Sequence, residues 1–205
     1  MSTLFNPRSP FAFLLAFIYA ILATIGLFNP YKDFPTPDYP EGTINHHYSK
    51  YEGGYDSWYG RTSIQGILNM INAKDKDGIA SKFSQKSKDN NDIERQIDIL
   101  FDYIEGEIID FKTDIDDCTS HTSAEYGVYH TYEIYAPSRI ITTKYSYIFA
   151  MDITVINDDE SKIGIADMYV TRKDVNDYYF LWQLDYPATS SYSGIICYGF
   201  DGIIV

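Results

Sequence analysis

NNDIERQIDILFDYIEGEIIDF, residues 90–111, changes its hydrophobic period partway along. Up to Ile104 the apolar residues Ile93, Ile97, Leu100, Phe101 and Ile104 recur every three or four positions, which is the stripe of an amphipathic helix. Asn91 followed three residues later by Glu94 reads as a capping box at its start. Gly106 supplies a left-handed residue to close it. Beyond Gly106, EIIDFK alternates as a strand does. A one-sided helix running straight into a strand needs an apolar surface to lie against, and the flanking sequence supplies one.

Upstream, Ile64, Ile67, Leu68 and Ile71 fall on one face of a helix over 61–73, ended by Asn72 and the charged run KDKDG. A second helix over 77–88 carries Ile79 and Phe83, with Asp75 or Asp77 placed to accept the free N–H groups at its start. Downstream, nearly everything reads as strand. TDIDDCTSHTS, residues 113–123, is a polar loop. AEYGVYHTYEIYA, residues 124–136, is a strand stopped by Pro137 and Ser138. RIITTKYSYIFAMDITVI, residues 139–156, is one long strand with Tyr145, Tyr147, Phe149, Met151, Ile153 and Val155 on one face. NDDES turns the chain. KIGIADMYVTR (162–172) and DYYFLWQLDY (177–186) complete the set. Adjacent strands with short turns pair antiparallel. Helices first and strands afterwards define an α+β fold, here three N-terminal helices packed on a curved antiparallel sheet. The Ile93–Ile104 stripe is expected to cross the concave face of that sheet.

The rest of the composition narrows the function classes. The chain has 205 residues, 20 Tyr and 12 Phe, which is far too aromatic for a disordered chain. A net charge of −13, with no basic cluster to offset it, disfavours nucleic acid and anionic lipid surfaces as partners. PFAFLLAFIYAILATIGLF, residues 10–28, carries no charge and approaches the ~20 apolar residues that span a bilayer. Arg8 precedes it. Small residues at Thr24-Ile25-Gly26 also allow cleavage as a signal peptide. The domain reading is therefore a signal peptide or membrane anchor over 1–30, an extended Pro/Tyr-rich linker over 31–56 and an α+β domain over 57–205. The bulk of the chain is expected outside the cytoplasm, membrane-anchored or secreted, with the membrane reached only through the N-terminal segment if it is uncleaved.

That compartment permits a disulfide between Cys118 and Cys197, although two separate thiols fit the sequence as well. The adjacent His46 and His47 would point to opposite faces of a strand and cannot chelate one ion together. No metal or cofactor is implied. Cys118 has His121 three residues on, but no third group completes a nucleophile. No Gly-rich phosphate loop and no G-x-S-x-G elbow is present.

The order of elements resembles the nuclear transport factor 2-like (cystatin-like) fold. More narrowly, Lys76-Asp77-Gly78-Ile79, Lys82-Phe83-Ser84, Ile97–Gly106 and Ser193-Gly194-Ile195-Ile196 are similar to motifs of a bacterial family of exported domains of unknown function. The resemblance covers residues 60–205. It implies a cone of helices on a bent sheet and an extracytoplasmic location, but no reaction. Members of that family are often lipid-anchored. No cysteine follows the apolar run here, so lipid attachment does not carry over.

A cone of this kind encloses a pocket. In enzymes resembling ketosteroid isomerase or polyketide cyclases, a strand Asp or His moves a proton beside a Tyr. The candidates here are Asp167, Tyr169, His130, Tyr132 and Trp182, with Asp152 and Asp185 on neighbouring strands. Alternation sets Asp152 opposite Phe149 and Met151, hence toward water. It sets Asp167 with Ile163, Ile165 and Tyr169, hence toward the interior. Three functions remain: a non-catalytic domain binding a small ligand, glycan or protein partner; a pocket enzyme of the isomerase or cyclase type; and a partner-neutralising or assembly protein. A fully packed cone argues against the enzyme. A pocket lined by Asp167 with a Tyr or His in hydrogen-bond reach argues for it.

Overall fold

The computed structural model describes Phe17 and residues 33–48, 53–113, 118–174, 193–199 and 202–204. The apolar run 10–28 apart from Phe17, the expected strand 177–186, Trp182 and Asp185 lie outside the described residues. The chain divides into two units, Met1–Pro35 and Thr36–Val205, and the second carries the α+β fold. Among the described residues no helix is long and apolar enough to cross a membrane.

Among the described residues from Gly54 on, the helices α1 Gly54–Ala73, α2 Lys76–Lys82, α3 Gln85–Asn90 and α4 Ile93–Tyr103 precede the strands. The strands follow: β1 Ile108–Lys112, β2 Thr119–Glu125, β3 Val128–Thr142, β4 Ser146–Asn157, β5 Gly164–Arg172, β6 Gly194–Gly199 and β7 Gly202–Ile204. They form one sheet in the order β1-β3-β4-β5-β6-β7, with β2 also on β3. The molecule is α+β with an antiparallel-rich sheet. Register shifts in the β1–β3, β2–β3, β3–β4 and β4–β5 ladders mark bulges, which bend strands and so curve the sheet.

Several sequence expectations shift. The first helix begins at Gly54, seven residues earlier than its apolar stripe implies, inside the stretch read as linker. The second is two short helices. Phe83 is extended between them and bridges to Ile165, and Ser84 starts the new helix with its hydroxyl accepting from Ser87 N. The residues read as a polar loop contain the first five residues of β2, whose polarity reflects full exposure. The single strand expected over 124–136 is a hairpin. Tyr126 at φ 51 and Gly127 at φ 83 are both left-handed, as a two-residue type I′ turn requires.

Pro137 does not stop β3. The β2 ladder ends at Tyr135 and the β1 ladder begins at Arg139, so Pro137 sits in a gap where β3 is locally an edge and no N–H is demanded. The long strand expected over 139–156 breaks at a turn. There the Thr142 hydroxyl accepts from Lys144 N and Tyr145 N. Finally, β5 and β6 run parallel, against the all-antiparallel expectation. The chain leaves β5 at Arg172 and enters β6 at Gly194, which leaves room for the dozen or more residues that a parallel connection needs.

The α4 stripe does lie on the sheet. Ile93, Ile97, Leu100 and Ile104 are buried and the helix packs against β6; Tyr147, Phe149 and Met151 of β4 are wholly inaccessible. Each buried Ile or Leu contributes about 1.5–3 kcal/mol. Phe101 is only half-buried, with Lys74 Nζ 4.6 Å above its ring. The end of α4 is tied down through two phenols. Tyr147 Oη accepts from Glu105 N at 2.9 Å and donates to Tyr103 O at 3.3 Å. Tyr103 Oη accepts from Arg172 N at 3.0 Å and donates to Tyr198 O. The segment before α1 is held by Asn69, whose side chain accepts from Ile44 N and donates to Ile44 O at 2.9 and 3.0 Å.

The cap of α4 is Asp92, not Asn91: its carboxylate accepts from Arg95 N at 3.2 Å. Asn91 instead binds Ser87 O and receives Ser193 Oγ. Asp92→Ala is therefore expected to lower stability by about 1 kcal/mol, the usual loss of an N-cap. The check is a urea midpoint that falls while the slope of the transition stays fixed.

Candidate functional site

The faces of the sheet follow from register. On β3 the even residues from Tyr132 to Thr142 are buried toward the helices, and the odd ones face the other way. Tyr135 pairs with Asp152, Asp152 with Asp167, and Asp167 with Gly194. Thr119 pairs with Tyr135 from the other side. One row thus crosses five strands on the face away from the helices: Thr119, Tyr135, Asp152, Asp167, Gly194. A neighbouring row sets His121 opposite Glu133 and Glu133 opposite Thr154. Side chains directly opposite in such ladders lie about 4.5–5.5 Å apart at Cβ.

A bulge creates the carboxylate pair. Asp152 pairs with Asp167 but Ile153 pairs with Ile165, so Ala166 is the extra residue on β5. It flips the alternation. Ile165, Met168 and Val170 face the core, while Asp167 and Tyr169 face with Asp152. Strict alternation would have put Asp167 beside Ile165, as the sequence pattern implies. The placement of Asp152 opposite Phe149 holds, but its surroundings are not open water. Ala150, Tyr169, Ile196 and Tyr198 form a second buried apolar cluster on that face, with Tyr135 against it.

A cavity of about 480 Å³ opens over the two rows, lined by β2, β3, β4 and β5 residues that include His121, Glu133, Tyr135, Asp152 and Asp167. A second, of about 340 Å³, shares Glu133, Thr154, Ala166 and Asp167 with it and adds Lys86 and Lys162. The two make one groove around Asp167.

Burial pushes the Asp152 carboxyl up to about 7, and the negative charges of Asp167 and Glu133 push the same way. A hydrogen bond from Tyr169 partly offsets them. Asp167 is also raised, by burial, against the N–H of Gly194, which donates to its Oδ1 at 2.7 Å. Tyr169 is raised by burial and by both carboxylates, so it stays a neutral donor. The pair therefore holds a proton into the neutral range.

The groove is fixed from behind by α4. Gln96 Oε1 accepts from Ile195 N at 2.9 Å, and Asn91 Oδ1 from Ser193 Oγ at 2.9 Å. These bonds place the start of β6 so that the Gly194 N–H reaches Asp167. Gly194 has φ 86, and a Cβ there would lie 2.3 Å from Gln96 Oε1, so only glycine fits.

The other sequence candidates scatter. Tyr132 is buried on the helix side of the sheet, where its hydroxyl donates to Asp56. His130 is at the far end of β3, with Nδ1 2.9 Å from Asp158 Oδ2. Trp182 lies outside the described residues. Asp167 and Tyr169 do come together. They are joined by Asp152, which alternation alone turns toward water, and by Glu133, Tyr135 and His121, which no sequence pattern placed in a site. Among the described residues no cluster of His, Cys, Asp and Glu has metal-binding geometry.

Cys118 and Cys197 are both buried. Cys118 precedes β2, whereas Cys197 is on β6, with β3, β4 and β5 between. Strand spacing alone puts them on the order of 19 Å apart, far beyond the ~7 Å that a disulfide tolerates between Cα atoms. Burial pushes the Cys197 thiol up to about 12, which leaves it unreactive.

The class so defined is an α+β domain of helices on a curved, antiparallel-rich sheet, with a polar groove on the sheet's far face. Residues 66–177, more than half of the chain, match a family described as a domain of unknown function, DUF5104. The chain belongs to the DUF5104 family. The match spans the whole carboxylate pair and ends before β6. No curated protein matches the chain.

Proposed function

We propose that this chain is an extracytoplasmic, non-catalytic domain of nuclear transport factor 2-like form, and that it binds a small polar ligand carrying a cationic group in the Asp152–Asp167 groove. The fold name is supported by the order of elements, helices and then a bent sheet. The location is supported by the uncharged run Pro10–Phe28, as anchor or cleaved signal. The observation that carries the binding reading is the carboxylate pair itself. Two acids directly opposite on adjacent strands repel, in a chain of net charge −13, and the groove's lysines, Lys86 and Lys162, line only its second cavity. A ligand ammonium in the cavity would replace the shared proton and supply the missing charge. On the helix side of the sheet, by contrast, Tyr147, Phe149 and Leu100 are wholly inaccessible.

The test is a thermal-shift and calorimetry panel on the full chain, with agmatine and glucosamine as amine probes and N-acetylglucosamine as the neutral control. The amines are expected to raise Tm, and to do so more strongly as pH rises through 7, where the pair loses its proton. Asp167→Asn is expected to weaken their binding at least tenfold. Equal stabilisation by the neutral sugar would replace the cationic ligand by a polyol. Amine binding that survives Asp167→Asn would remove the site.

A second reading, a proton-transferring pocket enzyme, draws on one feature: Asp152 titrates near neutrality with the Tyr169 hydroxyl on it. Slow deuterium exchange of a bound carbonyl probe, abolished by Asp152→Asn, would favour it.

A further inference from the structure

We propose that the groove is a two-ended site for a zwitterion: Asp152 and Asp167 hold an ammonium group, and Lys86 and Lys162 hold an anionic group on the same molecule. This rests on the carboxylate pair as a cation site and adds the second half of the ligand. The two cavities that meet at Asp167 are lined differently. Among the described residues, the larger carries Glu133, Asp152 and Asp167 and no lysine or arginine. The smaller shares Glu133 and Asp167 and adds Lys86 and Lys162 as its basic residues. Two separate elements bring the lysines there. Lys86 is in the first turn of α3, and Lys162 ends the short 3-10 turn Glu160–Lys162 ahead of β5. The two elements pack on each other.

Among the described residues, neither lysine pairs with Glu133 or Asp167, although all four line one cavity. The acid beside Lys162 is Asp159, whose Oδ2 is 3.9 Å from Nζ. Asp159 lies outside the cavity lining, and its Oδ1 accepts from the N–H and the hydroxyl of Ser161 at 3.1 and 2.7 Å. A pair this long and this exposed is weak, so Lys162 remains open to a better anion. Opposite charges thus face one open space without touching. A simple cation leaves the lysines unmatched, and a simple anion leaves the carboxylates unmatched. A zwitterion matches both. The spacing sets its length. Thr154 lines both cavities, lies two residues from Asp152 along β4 and pairs with Gly164, two residues from Lys162. At about 3.3 Å per strand residue, the lysine end begins about 7 Å from the carboxylate row. A free α-amino acid is too short for that span. A dipeptide fits, since each residue of an extended chain adds about 3.3–3.6 Å, and so does a phosphorylated amino sugar.

The test is calorimetry on the full chain in mild detergent, at low salt so that exposed charges are least screened. Two pairs of probes are compared: alanyl-alanine against alanyl-alanine amide, and glucosamine 6-phosphate against glucosamine. In at least one pair the anionic member is expected to bind at least fivefold more tightly, and the pair that responds identifies the anion as carboxylate or phosphate. The double variant Lys86→Gln/Lys162→Gln is expected to erase that gain and to leave glucosamine and the amide bound as before. Lys86 is exposed and Lys162 half-buried at the surface, so circular dichroism should be unchanged. If glucosamine and the amide bind but neither anionic partner gains, or if the gain survives the double variant, the zwitterion is overturned and the cation site stands. If no amine binds, the cation site falls and the zwitterion with it.

Discussion

Replacing Leu100 with alanine is expected to lower the unfolding free energy by about 2–5 kcal/mol, the range for a fully buried leucine cut back to its Cβ. Leu100 is wholly inaccessible and sits mid-stripe on α4, between Ile97 and Ile104, on a helix that packs against β6 and is tied to β4 through Tyr103 and Tyr147. The neighbours are too well tied to collapse into the space. Tyr147 is fixed by Glu105 and Tyr103, and Tyr103 by Arg172 and Tyr198. A cavity should therefore persist, which places the cost toward the upper part of the range. Urea unfolding reads it, with an unchanged slope. A loss under about 0.5 kcal/mol, typical of surface positions, would mean that α4 does not cover the sheet.

Asp152→Asn is expected to act in the opposite direction at neutral and alkaline pH. The Asp152 carboxyl rises from 3.8 to about 7 in the folded chain. Between those values the folded state keeps a proton that the unfolded state has released. Stability is therefore complete below about pH 4 and falls as pH rises to 7, by at most ~1.4 kcal/mol per unit. Above 7 it is level. An asparagine at this position carries no charge at any pH, so the variant should lose this slope. At pH 8 it should be more stable than the unsubstituted chain by about 1–4 kcal/mol, the span of that linkage. Paired urea titrations at pH 5 and pH 8 test it. A pH-independent difference between the two proteins would remove the desolvated acid from the account.

What the sequence reveals divides along physical lines. The α4 stripe, the α1 stripe and the helices-before-strands order are all legible, because each depends on periodicity over a whole element. Features that depend on one residue are not. Ala166 is an ordinary residue in an ordinary strand, yet as the bulge it moves Asp167 to the face of Asp152. Pro137 reads as a stop because the gap between β1 and β2 is a property of the assembled sheet. Strand β2 reads as a loop because exposure on all sides leaves no apolar alternation to detect. The parallel β5–β6 pairing depends on where the chain returns, which no local pattern encodes. Asp167 and Tyr169 are therefore legible as candidates. Their partnership with Asp152, Glu133 and His121 is not, because it exists only once the strands are in register.

The carboxylate pair is the centre of the account, and carbon-13 NMR of the aspartate carboxyls over about pH 3–9, a range that brackets the ordinary and the raised carboxyl, observes it directly. Asp152 should titrate with a midpoint near 7, and Asp167→Asn should bring that midpoint down. If Asp152 instead titrates near 3.8 and ignores Asp167→Asn, the two acids do not share a desolvated wall and the proposed groove is not there.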